Sequence, residues 1–462
     1  MGREKDLLTQ DREVGTATTN GADRMKRLLE RLGLGRPELR AWAMYDWANS
    51  AYQTTMIAAV FPIYFRRVIA GDMPEADALS RFAWASTIAI LVVAVIAPLL
   101  GAIADHAAIK KRLLAVFAGV GIVSCFAMLW LEPGGWQLAL TLFVIGNVGV
   151  AGSIVFYESL LPHLVGPSEL DRVSTAGYAI GYFGGGTLLA INLLMIQRPA
   201  MFGIGSADLA TRLSLASVGL WWLVFSIPIF RSVPEPRALA GGGGEPVSLA
   251  AGVRHLLATF RDLRKYRNAF LFLVAFFVYN DGIQTMIKMA AIYGDTIGLE
   301  SGAMITALLL TQFIGVPAAF AFGILADRIG AKPAVYLGLG VYTIIAALGY
   351  YMSTAAHFFA LAVLVGLVQG GTQALSRSLF ASMIPRQKSS EFFAFFGVFE
   401  RYAGVLGPAV FATVVSMSGQ GRVAILAVLV FFIIGALILT TVDVDAGRRE
   451  ARTGEREIAG VH

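Results

Sequence analysis

Asp46-Trp-Ala-Asn49-Ser-Ala-Tyr-Gln53 and Asp281-Gly-Ile-Gln284-Thr-Met-Ile-Lys288 read alike. Each sets an acid, an amide and a longer polar side chain at i, i+3 and i+7 within an apolar run, which is one face of a helix. One constant offset relates the two stretches. A carboxylate in a lipid-embedded helix costs about 2.5–3.5 kcal/mol on insertion scales unless it meets a partner or water. Two such stripes at matching places describe two half-chains turned toward a shared polar cavity, the physical outline of a secondary transporter.

Composition sets the solvent. Of 462 residues, 56% are hydrophobic and only 15% charged, against about 25% charged in soluble chains. Such a chain has too little polar surface to cover itself in water, and a multi-pass membrane protein is expected. The 37 Lys and Arg exceed the 31 Asp and Glu. Most of these basic residues fall in the tails and in alternate loops. The opposite loops hold Arg66, Arg67, Arg81, Arg198, Arg212 and Arg422. That bias places both termini in the cytoplasm and argues against nucleic-acid binding. The polar stretch before residue 41 is too long and too charged for a signal peptide, and a cell (inner) membrane location is expected. The single cysteine, Cys125, excludes an internal disulfide and a Cys-based zinc site. The scattered histidines match no metal or catalytic motif. No cofactor and no enzymatic activity are expected.

With ~20 apolar residues per membrane crossing, twelve spans are predicted near 41–68, 81–104, 113–131, 137–161, 174–196 and 212–230, then 269–292, 303–325, 334–353, 358–383, 391–416 and 422–442. The domains follow: an amino tail 1–40, a six-helix bundle 41–230, a cytoplasmic linker 231–268, a second six-helix bundle 269–442 and a tail 443–462. The linker carries Pro234, Pro236 and the run Gly241–Gly244, then a basic, partly apolar segment that reads as an interfacial helix. No Gly-Lys-Ser/Thr follows the glycines, so they are not a phosphate loop.

A second repeat supports the first. Gly101-Ala-Ile-Ala-Asp105 precedes Lys110, Lys111 and Arg112; Gly323-Ile-Leu-Ala-Asp327 precedes Arg328 and Lys332. The glycine permits close helix approach, and the aspartate can accept from exposed N–H groups at a neighbouring helix start. These G-x-x-x-D loops resemble the signature loop of the major facilitator superfamily. More narrowly, Tyr45-Asp46-Trp-Ala-Asn49-Ser-Ala-Tyr52 and the Gly177–Gly186 segment are similar to the vacuolar amino-acid effluxer family and its bacterial relatives. The first loop departs from the common form: His106 stands where Arg or Lys is usual, and the Gly-Arg step is missing. The resemblance implies an all-α membrane protein, with twelve helices in two pseudo-symmetric bundles, that moves a small solute by alternating access. In the eukaryotic members that solute is amino acids leaving a vacuole.

Within the spans lie four acids (Asp46, Glu158, Asp281, Glu400) and three bases (Lys288, Arg377, Arg401). At least one acid lacks a basic partner, and desolvation favours its protonated form. Asp46 and Asp281 head the stripes and are the leading proton carriers, or sodium ligands; the alternative is that they bridge helices. Lys288 and Arg401 either hold an anionic group or neutralise Glu400 and Asp281. Glu158 and Arg377 read as gate or structural charges, with Gly101, Asp105, Gly323, Asp327 and Arg328. Tyr45, Tyr52, Tyr178, Tyr182 and Tyr279, with Asn192 on the side of Tyr178 and Tyr182, line the cavity or pack. Asn49, Gln53, Asn280, Gln284 and Gln373 are placed with the substrate or ion; for Gln312, Gln369 and Gln373 the alternative is polar glue between helices.

The expected activity is proton-coupled efflux of a small polar solute, an amino acid or related compound, by a monomer in the bilayer. A sugar, organic anion or lysolipid carrier is the alternative on the same fold. A solute receptor that does not transport is the alternative of another class.

Overall fold

The computed structural model describes residues 29–74, 108–166, 168–237, 258–296, 301–403 and 421–458, with single residues between these stretches. Among them every regular element is helical. The first half holds α1 (Pro37–Ala51), α2 (Lys110–Ala127), α3 (Trp136–Leu164), α4 (Leu170–Gln197) and α5 (Ala207–Ser232). The second holds α6 (Arg267–Thr296), α7 (Ser301–Ile329), α8 (Ala331–Gly349), α9 (Ala355–Ser382), α10 (Ser389–Tyr402) and α11 (Leu429–Thr440), followed by α12 (Val444–Ile458). The eight helices α2 to α9 are long and apolar enough to cross a membrane, matching predicted spans three to ten. Span two and the later part of span eleven lie mostly outside the described residues, as do Gly101 and Asp105.

The first helix is not regular. After Ala51 it widens into a π-helical stretch, Tyr52–Ala59. Pro62 lacks the N–H that would close the regular ladder onto Ala58, and the turns before it loosen, as π-bulges commonly do at functional sites. Behind this helix α4 lies unusually close. A Cβ at Gly184 would stand 2.6 Å from Trp47 O, and one at Gly185 would stand 2.9 Å from Ser50 O. Only glycine permits that backbone approach, so the small-residue face of α4 is a packing face.

The tail does more than the sequence implied. α12 leaves the α11 axis at 62° and docks at one end of the molecule, against the start of α6 and the segment just before α10. There Asn268 Nδ2 donates to Glu450 Oε1 at 2.8 Å, and the Arg386 N–H to Glu455 at 3.1 Å. Its run of Arg and Glu keeps it out of hydrocarbon. The helical residues 258–265 of the linker dock on the same end. Thr259 bonds Glu391 at 3.0 Å, and Lys388 bonds Asp262 at 2.6 Å.

Candidate functional site

Between the halves lies a cavity of about 670 Å³, within the ~300–1,000 Å³ of small-molecule pockets. The first half contributes Asp46, Asn49, Gln53, Tyr157, Glu158, Tyr178 and Tyr182 to its wall. From the second come Gln284, Gln312, Gln369, Gln373, Arg377 and Glu400. Ile57, Phe143, Ile287, Leu308, Met352 and Phe358 make much of the rest.

Arg377 organises the polar end. It stands on α9, yet its partners are on the other half. Its Nε donates to Ser174 Oγ at 2.9 Å and its Nη2 to Ser174 O at 2.8 Å. Its Nη1 faces Asp46 Oδ2 at 3.5 Å and Glu158 Oε1 at 3.8 Å. The guanidinium lies 4.4 Å from the Tyr178 ring centre and 5.0 Å from that of Trp42. The Tyr157 hydroxyl donates to the same Asp46 oxygen at 2.7 Å. A planar, permanently charged fork flanked by rings suits arginine and not lysine. Its side chain is only 2% exposed, so the carboxylates repay a desolvation that would otherwise be costly.

The geometry sorts the expected site residues. Asp46, Asn49 and Gln53 all face the cavity, so the first stripe lies on the wall as a unit. Glu158 and Arg377, read from sequence as gate charges, share that wall. Tyr178, Tyr182, Gln373 and Glu400 are there too. The second stripe is corrected in part: Gln284 lines the cavity, but Asp281 is fully buried behind the wall. The side chains of Lys288 and Arg401 lie outside the described residues. Tyr45 is also off the wall, because it is one residue, or about 100° of helix, from Asp46; its ring packs on Tyr157 at 5.0 Å. Tyr52 starts the π-helical stretch and turns to Trp222 at 5.9 Å. Asn280 faces α10, Tyr279 bonds Ser376 at 2.5 Å, and Asn192 bonds Ser214 O on α5 at 3.3 Å. Trp42, Tyr157 and Ser174 were missed, although Trp42 at i−4 from Asp46 and Tyr157 beside Glu158 were visible neighbours.

Polar contacts between the halves, among the described residues, cluster at the end where α12 docks. Ser174 Oγ donates to Ala374 O at 2.8 Å, and Ser378 Oγ to Asp171 at 2.5 Å. The buried Lys110 Nζ reaches Ser389 Oγ at 2.8 Å. Arg172 holds Asp327 through Nε at 3.0 Å and Nη2 at 2.5 Å. The signature-loop aspartate therefore meets a guanidinium from the other half, in place of the helix N–H groups expected. Gly323 lets α7 sit against Thr175; Arg328 is exposed.

This architecture is that of a major facilitator transporter. The xylose–proton symporter XylE superposes with a TM-score of 0.65 at 13% identity, over 92% of this chain and 98% of that one. FucP, in an outward conformation, also gives 0.65, at 14% identity over 88% and 100%. The family model for vacuole effluxer Atg22-like proteins matches residues 35–452, and the chain belongs to that family. The MFS-type transporter YxiO of Bacillus subtilis is 31% identical over 87% of this chain and 94% of its own. Autophagy-related protein 22-1 of Penicillium rubens is 25% identical over 87% and 82%. The chain is thus a multi-pass membrane protein of a secondary-transporter family, and not an enzyme.

Proposed function

We propose that this chain exports a small zwitterion, an amino acid or close relative, coupled to protons, across a bacterial inner membrane with both termini in the cytoplasm. One observation carries the reading: in the cavity wall the guanidinium of Arg377 faces two carboxylates, Asp46 and Glu158. A solute carboxylate binding at Arg377 competes with Asp46 for the same donors. The displaced acid, still held by Tyr157, then takes a proton. Since Arg377 comes from one half and Asp46, Glu158 and Ser174 from the other, the exchange also loosens the contact that holds the halves together. Proton uptake and opening are thereby linked. Glu400, on the second half, offers an acceptor for the solute's ammonium group.

The wall amides of the second half, Gln284, Gln312, Gln369 and Gln373, with Asn49, Gln53 and Asn147 of the first, favour a hydroxyl-rich solute as the second reading. Purified protein in liposomes, given labelled amino acids or sugars under an imposed pH gradient, separates the two. The first reading expects gradient-driven amino-acid movement. Asp46→Asn should abolish it while leaving solute exchange without a gradient. Movement indifferent to the gradient, or confined to sugars, overturns it.

A further inference from the structure

The cavity is graded along its length, and the proton reading uses only one end. The α9 side chains on its wall include Phe358, Leu361, Val365, Gln369, Gln373 and Arg377. They fall at steps of three and four, which is one helical face. Along it apolar groups give way to amides and then to the guanidinium. Two other helices repeat the order. On α3, Phe143 stands at the far end and Glu158 beside Arg377. On the first helix, Asp46 and Gln53 precede Ile57. At ~1.5 Å per residue, Phe358 lies about 28 Å from Arg377 along α9, and Phe143 about 22 Å from Glu158 along α3.

The far end is apolar and enclosed. Phe143, Met352 and Phe358 line it, yet are only 2%, 3% and 9% exposed. Phe143 stacks on Phe61 at 4.8 Å and packs on Phe82 at 5.0 Å. Over that length 670 Å³ averages about 24–30 Å² in section, a tube wide enough for one hydrocarbon chain. Leucine or phenylalanine held at Arg377 would leave the far end empty. Water does not fill an apolar void, and the side chains around it forfeit contacts until an apolar group enters.

We propose that the solute is an amino acid whose side chain carries a long, single apolar chain, as in an acylated lysine. The inference rests on the zwitterion reading for the head at Arg377 and adds the tail. The polar linkage of such a molecule, an amide, falls beside Gln373 and Gln369, one and two turns of α9 from Arg377. The acyl chain then runs past Val365 and Leu361 to Phe358 and Phe143. Each methylene buried there favours binding about fourfold.

Thermal unfolding of the purified full chain in lipid nanodiscs, titrated with Nε-acetyl-, Nε-hexanoyl- and Nε-decanoyl-lysine, varies only the tail. A ligand of the folded state raises Tm, and the half-saturating concentration should fall roughly tenfold or more at each step. The methyl ester of Nε-decanoyl-lysine keeps the tail but lacks the carboxylate, and it should give no saturable rise. Ala362→Phe narrows the tube between Val365 and Phe358, so the decanoyl compound should lose its advantage over the hexanoyl one. Leucine, run alongside, reads the head alone. Leucine binding with no gain from longer tails overturns the tail and leaves the zwitterion reading standing. No binding by any of the four amino acids overturns both. An equal response to the decanoyl acid and its ester marks partition into the bilayer and overturns the tail. The wild-type titrations decide this whether or not the variant folds.

Discussion

Asp46 and Arg377 meet across the two halves of the molecule, carboxylate to guanidinium at 3.5 Å, with the Tyr157 hydroxyl on the same carboxylate oxygen at 2.7 Å. Tyr157→Phe removes a buried hydrogen bond to a charged group, worth about 1.5–3 kcal/mol. Its Tm should fall, and gradient-driven transport should weaken more than solute exchange without a gradient. A variant with wild-type Tm and wild-type coupling would show that Asp46 is held without Tyr157.

Tyr182 is a knob from α4 seated on glycines of the other half. A Cβ at Gly370 would lie 2.5 Å from its ring, and one at Gly315 would lie 3.3 Å away. Gly370→Val should cost about 1–3 kcal/mol by overpacking, and Tyr182→Ala in the same chain should recover part of it. The check is a double-mutant cycle of Tm values. Strict additivity would mean that the ring does not seat there.

The Arg172–Asp327 pair is a different kind of contact. Both side chains are partly exposed, 38% and 27%, so Asp327→Ala should change stability by only ~0–1 kcal/mol. Its effect belongs to the balance between states. Asp327→Arg sets like charges across the halves and should slow transport, and the swap Arg172→Asp/Asp327→Arg should restore it. A swap as slow as the single variant counts against a cross-half pairing role.

Asp262 ties the linker helix to the start of α10. Burial opposes its charge, but Lys265 and Lys388, at 2.7 and 2.6 Å, outweigh burial and hold the carboxyl below its ordinary 3.8. A depressed carboxylate stabilises the fold above its unfolded pKa and loses that contribution as pH falls through the folded value. Asp262→Asn should therefore lower Tm at neutral pH, and the two curves should converge below about pH 4. The effect is small because the pair is partly open to solvent. A gap that widens on acidification contradicts this assignment.

Much of this protein is local in the chain. Long apolar runs predicted α2 to α9, because each buries or exposes its backbone to lipid as a unit and must satisfy its hydrogen bonds internally. The i, i+3, i+7 spacing put Asp46, Asn49 and Gln53 on one wall, because helical phase is a property of sequence alone. Phase does not say which neighbour a face meets. Asp281 repeats the position of Asp46 and yet is buried behind the wall, while Arg377, six turns of helix into α9 and unmarked by any repeat, reaches across to the other half. Such pairings come from contacts hundreds of residues apart. The widening after Ala51 also depends on what packs around it. Composition and period determined the helices, their membrane and their pseudo-symmetry. Only the tertiary structure decided which charges share a cavity, since that follows from how two bundles close on each other and not from the face of any one helix.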